Sequence, residues 1–449
     1  MKMKVDLREL CDHALRISEA EQTEVFSIRA TMKNYYIDDG KIIIGTDNTW
    51  IGVGIKSVIK KRIGYFSRTI HKKREVESIV QKSFEIAKIS PPDEKFSSLP
   101  SPEPVSGSIE KVYDESTAQA DPREIVENLT VFLDSTQREG VKVMSGFLRI
   151  TEFEFVIKNS LGVDFSHQGT LVYLFATAKK ETGEGIIKRF STSLSGIDYQ
   201  KAGEDLFERT KLASNARAFK GVKEVDAIIA PMEVAGILSV IPTAASGELI
   251  NRGASPWINK LGQEVASKDL TVIDDGRLPG GLKSALADDE GVPTTRKAII
   301  EKGILKNYLF DTYNAGITGT KSTGNGFRRE TTSIENAHTR PVSCAASNVI
   351  VQPGSKDIQD LVSETDEGVL IYKFAYPHVD PISGNFGLEV RNAVLIRNGS
   401  PETAVKHAIL AGNIYTALKH IDGLGKQQYF IGSFLVPYIK FSKLQLIGS

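Results

Sequence analysis

The chain has 449 residues, 41% of them hydrophobic and 25% charged, which is the make-up of an ordinary globular protein. Lys+Arg and Asp+Glu both number 56, so the formal net charge is zero and the composition offers no broad electrostatic footprint for nucleic acid or an anionic membrane. The N terminus does not read as a signal peptide, no uncharged apolar run reaches the ~20 residues of a membrane helix, and two cysteines make no disulfide framework, so a cytoplasmic protein is expected.

Taken in order, Leu7, Leu10, Cys11, Ala14 and Leu15 fall at helical spacing and predict an amphipathic first helix with Cys11 buried on its apolar face. Asn34 to Ile44 reads as a hairpin turning at Asp39-Gly40. Ile51, Val53, Ile55 and Val58 continue as strand towards Arg62–Ser67. Gly52-Val53-Gly54 lacks the third glycine and the helix of a dinucleotide loop. Val76, Ile79, Val80, Phe84 and Ala87 form a helix stopped by Ser90-Pro91-Pro92, and the Pro- and Ser-rich stretch from Pro91 to Ser108 reads as a linker. Asp121 and Pro122 open a helix carrying Ile125, Leu129 and Phe132. Phe153–Lys158 and Thr170–Lys179 read as strands, the charged run from Lys179 to Glu184 as a solvated hairpin end, and Ala202, Leu206, Thr210 and Ala213 as a helix closing the first half near Gly221.

The second half opens with the strand Val225–Ala230 and passes into a helix that Pro242 should kink or end. Leu270–Ile273 is a β-branched run ended by Asp275-Gly276, Ala298–Lys306 folds at Lys302-Gly303, and Ser322–Gly326 has the turn chemistry of a shaped loop. Val349–Val351 and Gly368–Lys373 are apolar strands flanking a short helix, Val394–Arg397 is another strand, Val405–His420 reads as helix, and Phe434–Ile447 as alternating strand. The expected fold class is α+β in two large halves, an N-terminal mixed sheet with helices and a C-terminal, mainly antiparallel β domain with a few helices. The expected domains are an N-terminal α/β module at 1–90, a middle α+β module at 109–220 that completes the first half, and a β-rich domain at 221–449.

The order of motifs from Gly262 to Arg329 carries more. Leu261-Gly262, Val265-Ala266-Ser267, Asp274-Asp275-Gly276, Asp288-Asp289-Glu290-Gly291, Gly303-Ile304-Leu305 and Ser322-Thr323-Gly324-Asn325 followed by Arg328 resemble the central signature of the TldD/PmbA family, the "modulator of DNA gyrase" proteins understood as peptidase-related. The resemblance extends more weakly over nearly the whole chain. One branch of that family carries His-Glu-x-x-x-His on a helix upstream of the signature and a Cys near the C terminus, which leaves zinc an open position for water with Glu as general base. Here Ser239–Ala245 contains no His and no Glu, and Leu424 stands in Asp422-Gly423-Leu424-Gly425-Lys426 where the thiolate would sit. The chain therefore resembles the other, TldE-like or PmbA branch. That resemblance implies a non-zinc-binding subunit of a metallopeptidase, with no cofactor and no catalytic residue of its own. Zinc is then expected in a TldD-like partner of a heterodimer, or the chain pairs with itself, and peptides bind as extended strands. The competing expectation is a stand-alone, non-catalytic peptide-binding or scaffold protein.

The loop from Pro377 to Phe386 resembles a family motif at the substrate cleft, which makes Asp380, Ser383, Gly384, Asn385 and Phe386 the expected substrate-binding residues. Arg328 joins them as a group able to hold a carboxylate or backbone carbonyls. His378 beside Asp380 reads as a loop histidine next to a turn-forming Asp-Pro, and His338 with Glu335 as a solvated pair. Cys344 reads as a small buried thiol. No metal ligand is assigned in this chain.

Overall fold

The computed structural model describes residues 5–448. The first half is built on one six-stranded sheet from β1 (Gln22–Asp38), β2 (Lys41–Ile59), β3 (Arg62–Thr69), β4 (Lys142–Asn159), β5 (Asp164–Lys180) and β6 (Gly183–Ser191), in the order β3-β2-β1-β4-β5-β6. Every pairing in it is antiparallel, where a mixed sheet was expected. Three of the joints are tight turns that reverse the chain. Asp39-Gly40, Lys60-Lys61 and Glu181 all take left-handed backbone, the conformation such hairpins need. The expected hairpin at Asn34–Ile44 is the tip of two strands far longer than the alternation suggested.

Helices cover this sheet where its side chains are apolar. The helix Leu7–Ile17 is capped by Asp6, whose side chain accepts from the backbone N–H groups of Arg8 and Glu9, and it buries Leu7, Leu10, Cys11 and Ala14. With Glu75–Ile89 it packs on Val25, Val53 and Ile55. Pro122–Thr136, capped by Asp121, and Tyr199–Ser214 pack on Leu148, Ile150, Val172, Leu174 and Ile187. The Pro-rich stretch between these layers is irregular but anchored, because Phe96 and Leu99 are buried and the Asn159 amide donates to the Pro100 carbonyl.

The second half is a closed ring. Glu367–Phe374 pairs in parallel with Gly221–Ile229, which pairs with Ile439–Gly448, then Ala408–Asn413, then Asn385–Arg397, and the last strand returns to Glu367–Phe374. Closure removes sheet edges and encloses the large apolar core. A smaller sheet of Val272–Asp275, Arg296–Glu301, Ile304–Leu305, Val349–Val351, Tyr429–Ile431 and Phe434–Val436 stands beside it. Val405–His420 is not one helix: its residues 408–413 are strand and the helix is confined to Ile414–Ala417 and a short extension. Asn413 caps that helix by accepting from Tyr415 and Thr416, so the ring's ladder ends where the helix starts. Phe434–Ile447 is likewise interrupted, at Pro437, which cannot donate to a ladder.

The halves meet along one face of the first sheet. Phe26, Ile28, Phe153, Phe155 and Ile157 pack against Leu282, Ala285, Ala287, Ile334 and Ala337. Inside this apolar joint the Arg328 guanidinium donates to Glu24 at 2.6 Å and Arg329 to Asp289 at 2.5 Å, and the two guanidinium planes lie over Phe26 and Phe155. A second contact passes through His338, which is 2% exposed and not the solvated residue expected. Its ring fills the space left by Gly52, where a Cβ would lie 2.1 Å from Nδ1, and the Tyr65 hydroxyl donates to its carbonyl at 2.6 Å. The Gly52-Val53-Gly54 pair is thus a seat for the neighbouring half.

Candidate functional site

The signature residues build a buried polar scaffold beneath the joint. Asp274, fully buried, accepts from the Asn325 amide at 2.7 Å, from the Lys297 ammonium at 3.0 Å and from the Ser347 hydroxyl and N–H. Asp288 accepts the backbone N–H groups of Glu290, Val292 and Gly326, and Asp289 those of Arg328 and Arg329. These carboxylates therefore fold the loops around 288–292 and 322–329 on one another. Burial raises the Asp288 pKa well above the usual carboxylate range, with the neighbouring Glu290 charge adding to it. Burial likewise carries Glu290 to about 7, opposed by Lys56 and reinforced by Asp311 and Glu24.

A family metal site would lie upstream of the signature, on the helical segment after the strand Gly221–Ile229. That segment is two pieces, Pro231–Leu238 and Val240–Ala244, and both share Ser239 as cap. Pro242 explains the break, since its ring clashes with the carbonyl four residues back, on Leu238, the last residue of the first piece. Ile241, Ala244, Ala245 and Leu424 all lie in the same apolar core, filled by Trp257, Phe386 and Leu418 among others. The one acid of the segment, Glu233, accepts from the Lys373 ammonium at 3.2 Å and the Phe374 N–H at 3.1 Å. Among the described residues no three His, Cys, Asp or Glu side chains converge as a metal would need. This donor set does not fit a zinc ion.

The loop residues proposed for substrate do come together. Asp380 accepts from the Ile382 N–H and the Ser383 hydroxyl, which hold its carboxyl below the usual range. Gly384 has φ of 76° and a Cβ there would meet the Tyr415 ring at 2.4 Å, so left-handed backbone and a close approach both require glycine. The Asn413 amide donates to the Ser383 carbonyl and to Asn385, and the Tyr415 hydroxyl to Pro381, tying the loop to the start of the short helix. Asp380, Ser383 and Asn385 remain exposed, while Phe386 anchors the loop in the core. Beside them Tyr376 is 74% exposed and stacks on His378 at 5.7 Å. Arg328 does not join this group. Its guanidinium is buried on Phe26 and bonded to Glu24 of the same chain, so the carboxylate it holds is internal. The two thiols are inert, since burial pushes Cys11 and Cys344 up to about 12. His167, a residue of the first sheet, is pushed down to about 3 by burial and by Arg329, which leaves it neutral.

Sequence reasoning missed Tyr415, Asn413 and Tyr376. Tyr415 and Asn413 sit in the stretch read as continuous helix, where an Asn two residues before a Tyr was the available sign of a cap.

Comparison with known proteins agrees with this geometry. The family model described as the PmbA/TldA metallopeptidase C-terminal domain matches residues 222–448. A metalloprotease of Methanocaldococcus jannaschii is 26% identical over 432 residues, spanning 94% of this chain and 91% of that protein. A metalloprotease TldD homolog of Buchnera aphidicola is 35% identical over 179 residues, 40% of this chain and 36% of that protein. The crystal structure of TldE from Thermococcus kodakarensis superposes with a TM-score of 0.89 at 26% identity, covering 98% of this chain and all of that one. The chain belongs to the PmbA/TldD metallopeptidase family.

Proposed function

We propose that the chain is the non-zinc-binding, TldE-like subunit of a two-subunit metallopeptidase. In this reading a TldD-like partner supplies the zinc and the general-base Glu, and this chain helps enclose a peptide bound as an extended strand. The observation that carries the reading is the replacement of a donor set by packed apolar side chains, Ile241, Ala244, Ala245 and Leu424, within one core. A catalytic zinc needs three protein ligands and an open fourth position, and Ser239–Ala245 offers neither a His nor a Glu. The exposed rim of the loop, Asp380, Ser383 and Asn385, is assigned to peptide contact, because the loop's own side-chain bonds and the packing of Gly384 on Tyr415 hold it in one shape.

The test is reconstitution. The chain alone should cleave no peptide, and addition of a TldD-like protein should give a complex with peptidase activity. Changing the partner's general-base Glu to Gln should abolish that activity. A partner that is fully active alone, and neither binds nor is stimulated by this chain, would instead favour the stand-alone scaffold.

A further inference from the structure

A cavity lies against the C-terminal ring, over the apolar cluster that contains Leu370 and Ile396. It measures about 590 Å³, the size of small-molecule sites, and is roofed by the helix Tyr199–Ser214. Lys201, Asp205, Glu208, Arg209 and Leu212 line it from one helical face, and the ring supplies Leu370, Tyr372, Ile396 and Tyr438 from below. The floor belongs to an apolar cluster separate from the main core.

Most charges around this cavity are matched. Asp205 takes both Arg189, at 2.5 Å, and Lys201, at 3.0 Å, and Lys426 pairs with Asp357 at 2.9 Å. Arg209 is the exception. Its guanidinium lies 5.8 Å from the centroid of the Tyr372 ring and makes a long 3.4 Å bond to the Ile186 carbonyl, with no carboxylate in ion-pair range among the described residues. Around it stand Tyr372, Tyr429 and Tyr438, the last two edge to face at 6.4 Å. Tyr372 and Tyr438 are partly buried in the floor, and Tyr429 is partly exposed beside them. Burial pushes Tyr372 up to about 12, so it remains a donor at any ordinary pH. A half-buried cation with no carboxylate partner, facing one cavity with three phenols, is unusual, because such a group ordinarily finds a partner.

We propose that this cleft binds a carboxylate carried on an apolar or aromatic group. Arg209 would take the carboxylate through its planar fork, phenol hydroxyls would complete its shell, and the apolar chain would lie on Leu370 and Ile396. The lining carries five Lys and Arg side chains against four Asp and Glu, an excess of one positive charge that a monoanion matches. The carboxyl terminus of a peptide ending in an apolar residue and a small aromatic acid share this chemistry. The inference concerns binding in this cleft, and it stands whether or not the peptidase reading holds.

The experiment uses the full chain and ligand-observed NMR with four probes: 3-phenylpropionate, its amide, an N-acetylated tripeptide ending in Phe, and that tripeptide's amide. Ligands of this size reach Kd of roughly 1 mM, so titration to ~10 mM covers the range. Both acids should saturate, and both amides should bind about tenfold more weakly or worse. Tighter binding of the tripeptide assigns the peptide source, and equal binding assigns the small acid. Arg209→Met should remove the preference for acid over amide, and Tyr372→Phe, which deletes one hydroxyl and preserves packing, should weaken the acids several-fold. Equal binding of acids and amides, no saturation by either acid, or full acid binding in a folded Arg209→Met chain would each overturn the proposal.

Discussion

At the scale of single residues, the joint between the halves depends on buried charge that has to be paired. Asp289 is fully buried and serves Arg329 together with two backbone N–H groups. Asp289→Ala leaves a buried guanidinium uncompensated and should lower stability by about 3–5 kcal/mol, read as a lower denaturant midpoint. A loss below about 1 kcal/mol would mean that the pair does not hold the joint. Glu290 makes a prediction of opposite character. Its folded pKa of about 7 is raised from 4.5, so the native state holds a proton that the unfolded chain releases between those values. Stability should therefore fall as pH rises from about 4.5 to about 7 and level off above that, by up to about 3 kcal/mol from this group. Glu290→Gln keeps an acceptor for the Thr312 N–H, and should flatten that slope and raise stability at pH 8. Parallel pH profiles for the two proteins would contradict the assignment. None of this was legible in the sequence, where Asp288-Asp289-Glu290-Gly291 stood only as one motif of the signature. What makes the run special is burial against residues such as Glu24, which lies 304 positions from Arg328.

At the scale of elements, the local signals were informative wherever turn chemistry and alternation agreed. Lys302-Gly303 and Asn398-Gly399 both take left-handed backbone at hairpin turns, as a Gly in the second position suggests. The stretch 405–420 misled because Val405, Ala408 and Ile409 mimic helical spacing. Pairing with Asn385–Val390 on one side and Gln445–Gly448 on the other overrode that pattern, and a single sequence does not display such partners. The loop Asp380–Phe386 was legible as a shaped loop, while its brace, Tyr415 and Asn413, was not. Gly384→Val places a Cβ against Tyr415 and forces a branched residue into left-handed backbone. It should cost about 1–3 kcal/mol and lower peptide turnover by the assembled complex. Thermal melting separates the two effects: a chain still folded at the assay temperature, with unchanged turnover, would remove this loop from the cleft.

At the scale of the whole molecule, the α+β class and the two halves followed from periodicity and motif order. Closure of the ring did not, because it depends on Glu367–Phe374 meeting both a parallel and an antiparallel neighbour. Likewise, the missing donors at Ser239–Ala245 and Leu424 were visible in the sequence, whereas the core that replaces them needed the fold. Among the described residues, no helix is long and apolar enough to cross a membrane. The account's central claim is that the metal of the active complex does not reside on this chain. Its most direct test is the zinc content of the purified chain after exposure to excess zinc and removal of loosely held ions, measured alongside peptide cleavage. The account predicts zinc far below one per chain and no cleavage. One tightly held zinc per chain, with cleavage that a chelator abolishes and no partner present, would contradict it.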